Sequence, residues 1–251
     1  MAKIIMTCIT VIVFIVSALP VALGQAEQNL VAYWPLDDGV GDDVRDASGH
    51  GHDGVLQGDA QWVPGKYGQA LDFGSGGGYV IVPDDDELDL STALTYMGWF
   101  NLNDPISGQR RMMSKNDSIF LLFDFGDAQS LDFLVKPNNS FVESTTIFEL
   151  GEWYHFAGTY DGSSLRMYIN GEMEGESGGV PSIATSDLEL WIGADDYSLP
   201  ETSFPGILDD IRIYNRDLTQ GEIEEAMSGP RAVQMTGEKL STTWGLMKSA
   251  N

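Results

Sequence analysis

The chain has 251 residues, and its 38 Asp and Glu against 13 Lys and Arg give a formal net charge of −25. A surface this acidic repels phosphate backbones and anionic lipid headgroups, which excludes nucleic acid and membrane surfaces as primary partners. With 43% hydrophobic and 10% aromatic residues the chain is built to fold rather than stay disordered, as one large domain or two small ones.

The N-terminus reads as a secretory signal over residues 1–24. Lys3 gives a short positive region, residues 4–16 are almost wholly apolar, and residues 18–26 carry the small side chains a signal peptidase accepts. The apolar run is shorter than the roughly 20 residues a membrane span needs, so stable membrane insertion is not expected. Cys8 is the single cysteine and lies inside this segment, so the mature protein is expected to hold no disulfide. An exported chain without disulfides needs another staple, and oxygen-rich calcium sites are a common one outside cells.

From about residue 30 to 214 short apolar runs with two-residue alternation are separated by clusters of Gly, Asp, Asn, Ser and Pro, the pattern of strands. Strands are expected over residues 31–35, 70–73, 79–82, 94–102, 111–114, 119–125, 130–135, 153–160, 164–169, 188–192 and 206–214. No helical period interrupts them, so the pairing is antiparallel and the fold class is all-β, a two-sheet sandwich or jelly roll, with a closed barrel as the alternative. Asn170-Gly171 suits a type I′ hairpin turn and places a meander over residues 153 to about 176. Both faces of residues 153–160 carry apolar weight, which marks a central strand. In the last long strand strict alternation puts Ile207, Asp209, Ile211 and Ile213 on one face, leaving a carboxylate among aliphatics in need of a partner. The acidic run Asp84 to Glu87 reads as a solubilising turn. Thr219 and Glu222 have capping-box spacing ahead of Ile223 and Met227, so a short helix closes the domain. Beyond Gly229-Pro230 the composition turns basic, with Arg231, Lys239 and Lys248, and residues 228–251 read as a tail.

Several phrases carry a resemblance. Val31-Ala-Tyr-Trp-Pro-Leu-Asp-Asp-Gly39, Asp46-Ala-Ser-Gly-His-Gly-His-Asp-Gly54 and Gly68-Gln-Ala-Leu-Asp-Phe73 are followed by the segments around residues 153–162, 167–171 and 206–218. In that order they resemble the LamG-like jelly-roll domains of the concanavalin A-like lectin/glucanase superfamily, over residues 29–227. The resemblance implies a jelly roll and a structural calcium joining the N-terminal turn to the last strand. Matched motif by motif, it points to Asp209 as side-chain ligand, Asp37 or Asp46 as a second carboxylate, and carbonyls near His50 and Gly51. Against this stands the reading of Asp37 and Asp46 as turn caps and of Asp209 as a strand-end residue.

His50 and His52 form a His-x-His pair, but zinc sites use three or four side-chain ligands and cysteine is absent from the expected mature chain, while the resemblance implies Asn in this loop, so the imidazoles read as incidental. Catalysis finds little support. The paired-carboxylate signature of the related glucanases is missing, and Glu172, Glu174 and Glu176 alternate on what reads as a solvated hairpin arm. Sugar recognition would use loop aromatics and polar groups, with Trp62, Asp195, Asp196 and Tyr197 as candidates and surface packing as the competing role for the two aromatics. The sequence therefore points to a secreted, non-catalytic module that recognises a glycan or an extracellular protein. A glycosidase of the same superfamily and a structural matrix subunit associating through its basic tail are the alternatives.

Overall fold

The computed structural model describes residues 29–74, 76–123, 130–195 and 199–229. The expected signal segment, Asp196, Tyr197 and the tail from Pro230 onward lie outside the described residues. Among the described residues sixteen strands run in the order β1 (Leu30–Trp34), β2 (Asp43–Val44), β3 (Gly54–Gln57), β4 (Gln61–Pro64), β5 (Gln69–Asp72), β6 (Tyr79–Val82), β7 (Leu94–Leu102), β8 (Arg110–Lys115), β9 (Ile119–Phe123), β10 (Leu131–Val135), β11 (Ser140–Glu143), β12 (Trp153–Tyr160), β13 (Ser164–Ile169), β14 (Glu172–Gly178), β15 (Leu190–Ile192) and β16 (Gly206–Tyr214). Helix α1 (Gln220–Ala226) follows them.

The strands form two antiparallel eight-stranded sheets, the all-β sandwich expected. The first has the order β14-β13-β12-β7-β16-β5-β4 with β1 also on β16, and the second the order β11-β10-β9-β8-β15-β6-β3-β2. One hydrophobic core lies between them, with Trp34, Phe73, Tyr96, Phe100, Phe133 and Phe156 fully buried. The rings of Phe100, Phe123, Phe148 and Phe204 meet mostly edge to face, which suits their quadrupoles. A smaller cluster of Met97, Ala157, Tyr168, Tyr214, Leu218 and Ile223 sits on the other face of the first sheet, under α1. The capping box at Thr219 and Glu222 forms as its spacing implies, and Asn170 and Gly171 both take positive φ at the β13–β14 turn.

The strands that sequence reading passed over are short or polar. β2, β3, β4 and β11 have two to four residues each, and their alternation is too brief to register. The acidic run before β7 has more than a solubilising role. The ammonium of fully buried Lys115 lies 2.6 Å from Asp84 Oδ1 and 3.4 Å from Asp89 Oδ1, and donates to the Leu188 carbonyl at 2.8 Å. A buried cation needs such partners. Asp85 caps the 3-10 turn Asp86–Leu88 by accepting from the Glu87 amide.

The sheets approach closely at Gly158 of β12, where a Cβ would stand 2.7 Å from the Phe133 ring of the facing sheet. Gly158→Ala is expected to overpack this contact and lower stability by about 1–3 kcal/mol, read as a lower thermal midpoint by circular dichroism. An unchanged midpoint would mean that the sheets can part at no cost.

Candidate functional site

The last strand carries the irregularity that sets the position of Asp209, the first of the predicted cation residues. Leu208 faces the main core, as do Ile211 and Ile213, so a residue has been inserted between them. The register against β7 slips between Asp209 and Arg212, and Asp210 takes a φ of 54°. This bulge corrects the strict alternation expected from sequence. It turns Asp209 away from the aliphatic face and sets it opposite Trp99 of β7.

Asp209 is fully buried, and its Oδ2 accepts from the Tyr67 amide at 2.9 Å in the turn between β4 and β5. The turn closes with the Gly65 amide donating to the Gly68 carbonyl at 3.1 Å, and Asp37 Oδ1 accepts from the next amide, Gln69, at 2.7 Å. Both glycines are required: a Cβ at Gly65 would lie 2.6 Å from Asp209 Oδ2, and one at Gly68 would lie 2.0 Å from Asp37 Oδ1. Asp209 Oδ1 has no hydrogen-bond partner. Burial, with repulsion from Asp210 and Asp37, outweighs the amides of Tyr67 and Lys66 and lifts its carboxyl to about 7. Asp210 is neutralised locally, with Arg212 Nη2 3.0 Å from each of its oxygens. Beside Trp99 the ring of His155 is buried, and burial with the nearby Arg212 charge pushes its pKa down to about 3.

Asp46, expected as an alternative second ligand, does a different job. Its oxygens accept from the amides of Tyr33, Ser48, Gly51 and His52 and from the Ser48 hydroxyl, at 2.7–3.0 Å. Partial burial pushes its pKa up, but these donors, led by Tyr33, hold it below the ordinary carboxylate value. An anion so saturated acts as the hub of the residue 46–52 loop, which is the turn-cap role. The His50 side chain turns to Glu87, its Nδ1 2.7 Å from Glu87 Oε2. Gly51, at a φ of 91°, donates its amide to Asp46. The expected side-chain ligands therefore do not all gather at one place. Of them, only Asp209 and Asp37 share a locality, and among the described residues they form no cluster of three close side-chain ligands.

The sugar-site candidates also divide. Trp62 lies on β4, half-buried against the core, and its Nε1 donates to the Gly41 carbonyl at 2.9 Å, a packing role. Asp195 is buried and accepts from Arg111 Nε at 2.8 Å. Asp196 and Tyr197 lie outside the described residues. Asp195 belongs to a groove over the outer face of the second sheet, made of two adjoining depressions of about 290 and 440 Å³ that share Gln109, Arg111, Phe120 and Lys136. Phe120, Leu122, Leu134 and the half-exposed Phe141 form its apolar part. The Arg111 guanidinium lies 5.1 Å and the Lys136 ammonium 5.7 Å from the Phe120 ring centre, and Arg111 Nη1 is buried without a hydrogen-bond partner. Asn139 accepts from Lys136 at the rim. Sequence reading missed this groove, although the unbroken apolar run of β9 is its signal: such a strand has two faces to cover, and only one meets the core.

The alternating glutamates of β14 are tied structurally. Glu174 accepts from the amides of Thr145 and Thr146 and from the Thr146 hydroxyl, and Glu176 pairs with Arg166 at 2.9 Å.

A laminin-G-type family model, described as the concanavalin A-like lectin/glucanases superfamily, matches residues 74–224. No curated protein matches the chain. Among solved structures, domain 4 of AbnA, a GH43 extracellular arabinanase from Geobacillus stearothermophilus in complex with arabinotriose, aligns with a TM-score of 0.66 at 18% identity, covering 79% of this chain and 98% of that one. The binding domain of Paraclostridial Mosquitocidal Protein 1 aligns with a TM-score of 0.65 at 17% identity, covering 80% and 52%. A botulinum neurotoxin type C structure, from a toxin whose cell entry depends on two ganglioside molecules, aligns with a TM-score of 0.65 at 16% identity, covering 82% and 52%. The chain thus spans about half the length of the toxin chains. At these identities the likeness is one of fold.

Between pH 3.8 and about 7 folded Asp209 keeps a proton that the unfolded chain has released, so its contribution to stability falls as pH rises through that window. Asp209→Asn keeps the acceptor for the Tyr67 amide and removes the charge. In chelator, its stability advantage over wild type is expected to grow between pH 5 and pH 8 by on the order of 2 kcal/mol, measured by denaturant unfolding. The titration of His155 is common to both proteins and cancels. A difference independent of pH would show that the carboxylate is not desolvated.

Proposed function

Because the chain belongs to the concanavalin A-like lectin/glucanases superfamily, we propose that it is a non-catalytic binding module that holds a glycan in the groove over the outer face of the second sheet. The observation that carries this reading is the Phe120 ring, flanked by two cations and bordered by Gln109, Asn139 and Asp195. A sugar presents an apolar C–H face and a rim of paired hydroxyls. The first packs on an apolar floor, and the second is recognised by amide, carboxylate and guanidinium groups fixed beside it. The arabinotriose complex and the ganglioside-dependent toxin among the fold relatives support a glycan as the class of ligand. Glu174 and Glu176 take no part as an acid pair, because their oxygens already serve Thr145, Thr146 and Arg166.

Two further elements complete the proposal. The first 24 residues direct export, so the module acts outside the cytoplasm. A structural calcium is held at Asp209 with Asp37 beside it, while Asp46, His50 and Gly51 are left out. Its support is the buried carboxylate oxygen without a partner and the mutual repulsion of neighbouring aspartates, which a cation would relieve.

An array of arabino-oligosaccharides and ganglioside glycans, followed by calorimetry on the retained sugar, tests the groove. Phe141→Ala is expected to weaken binding about tenfold or more with an unchanged melting temperature, since this ring is half-exposed. Retention of no glycan, or equal binding by the variant, would overturn the reading. Calcium is expected to raise the melting temperature of wild type and not of Asp209→Asn; an equal response places the ion elsewhere.

A further inference from the structure

The loop that Asp46 organises brings together a second set of ligand groups. His50 Nδ1 lies 2.7 Å and His52 Nε2 3.5 Å from the same oxygen of Glu87, and the three ligand atoms all fall within 4.8 Å of one another. The two imidazoles stack with ring centres 6.1 Å apart. His52 is 5% exposed, and its Nε2 is buried without a hydrogen-bond partner. A polar nitrogen taken from water and left unpaired costs about 1–3 kcal/mol, so something is expected to meet it.

We propose that His50, His52 and Glu87 form a binding site for a divalent transition-metal ion of the zinc class. The chemistry fits: two imidazoles and a carboxylate suit zinc, nickel or copper and are a poor match for calcium, which takes six or more oxygens. In a tetrahedral shell with bonds of about 2.0–2.1 Å the ligand atoms stand about 3.3 Å apart. The present distances of 2.7 and 3.5 Å to the Glu87 oxygen bracket that value.

The backbone on both sides is already fixed. Asp46 Oδ2 accepts from the amides of Gly51 and His52, the Ser48 hydroxyl accepts from the His50 amide, and Trp34 Nε1 donates to the His52 carbonyl at 2.8 Å from within the core. On the other side Glu87 sits in the 3-10 turn capped by Asp85 and anchored by buried Leu88. Ligands on two preorganised elements lose little entropy on binding, and the metal would clasp the loop before β3 to the turn before β7. With three protein ligands, one position stays open to water or to a donor from a bound molecule. In sequence His50 and His52 show no third ligand because Glu87 lies 37 residues away.

Zinc chloride titrated calorimetrically into the full chain, with excess calcium present to occupy the acidic surface, tests the site. One saturable zinc equivalent is expected, with a higher melting temperature. His50→Ala and Glu87→Gln alter exposed side chains, so their melting temperatures without zinc are expected to match wild type while zinc affinity falls at least about tenfold. Cobalt bound to wild type should give the visible absorption of a low-coordinate nitrogen-ligated ion, lost in His50→Ala. No saturable zinc binding above the calcium background, or equal affinity and cobalt spectra in wild type and His50→Ala, would overturn the proposal.

Discussion

The extra residue in β16 is the constraint from which the first sheet takes its form. One edge of this strand serves two partners: β5 pairs with Ile207 and Leu208, and β1 pairs from Ile211 to Tyr214. Between them the ladder is interrupted, and the interruption must be satisfied without water. The bulge does this with two adjacent carboxylates. Asp209 accepts amides from the β4–β5 turn, while Asp210 binds Arg212, whose guanidinium also lies over the Tyr33 ring of β1 and donates to the Ala226 carbonyl of α1. A single insertion thereby joins the first strand, an early hairpin turn, the last strand and the closing helix.

The excess of acid has a second meaning besides solubility. Asp37, Asp46, Asp85 and Asp161 each accept backbone amides in loops, and Asp84 with Asp89 neutralises a buried lysine. Each such bond is modest, but a carboxylate that receives several amides fixes a loop that would otherwise be held only by its ends. In a described domain whose loops are held by no disulfide, carboxylate hubs carry much of that work.

The two outer faces are treated differently. Over the first sheet, α1 and the β4–β5 turn cover the surface, and the Tyr67 hydroxyl donates to the Met227 carbonyl to tie them together. Over β8 to β11 the side chains of Arg111, Phe120, Leu134 and Phe141 instead line an amphipathic depression. The asymmetry leaves one broad surface with both apolar floor and polar rim, and the loop holding Asp195 reaches it through Arg111.

The sequence by itself determined the class of fold, because alternation with a period of two and turns rich in glycine and asparagine are local properties of a chain in strands. It fixed the long strands β7, β12, β13 and β16 to the residue, the type I′ turn at Asn170 and Gly171, and the capping box of α1. Tertiary structure alone decided which carboxylates meet which donors. A bulge is one residue of register, invisible until β16 lies against β7, and it moved Asp209 to the opposite face from that which alternation gives. Likewise Asp46 proved a hub for amides, Glu87 came to His50 and His52 across the fold, and Arg111, Phe120, Lys136 and Phe141 became one surface. Apart from the Asp46 donors at Ser48, Gly51 and His52, these contacts join residues distant in the chain, and contacts of that kind leave no period to read.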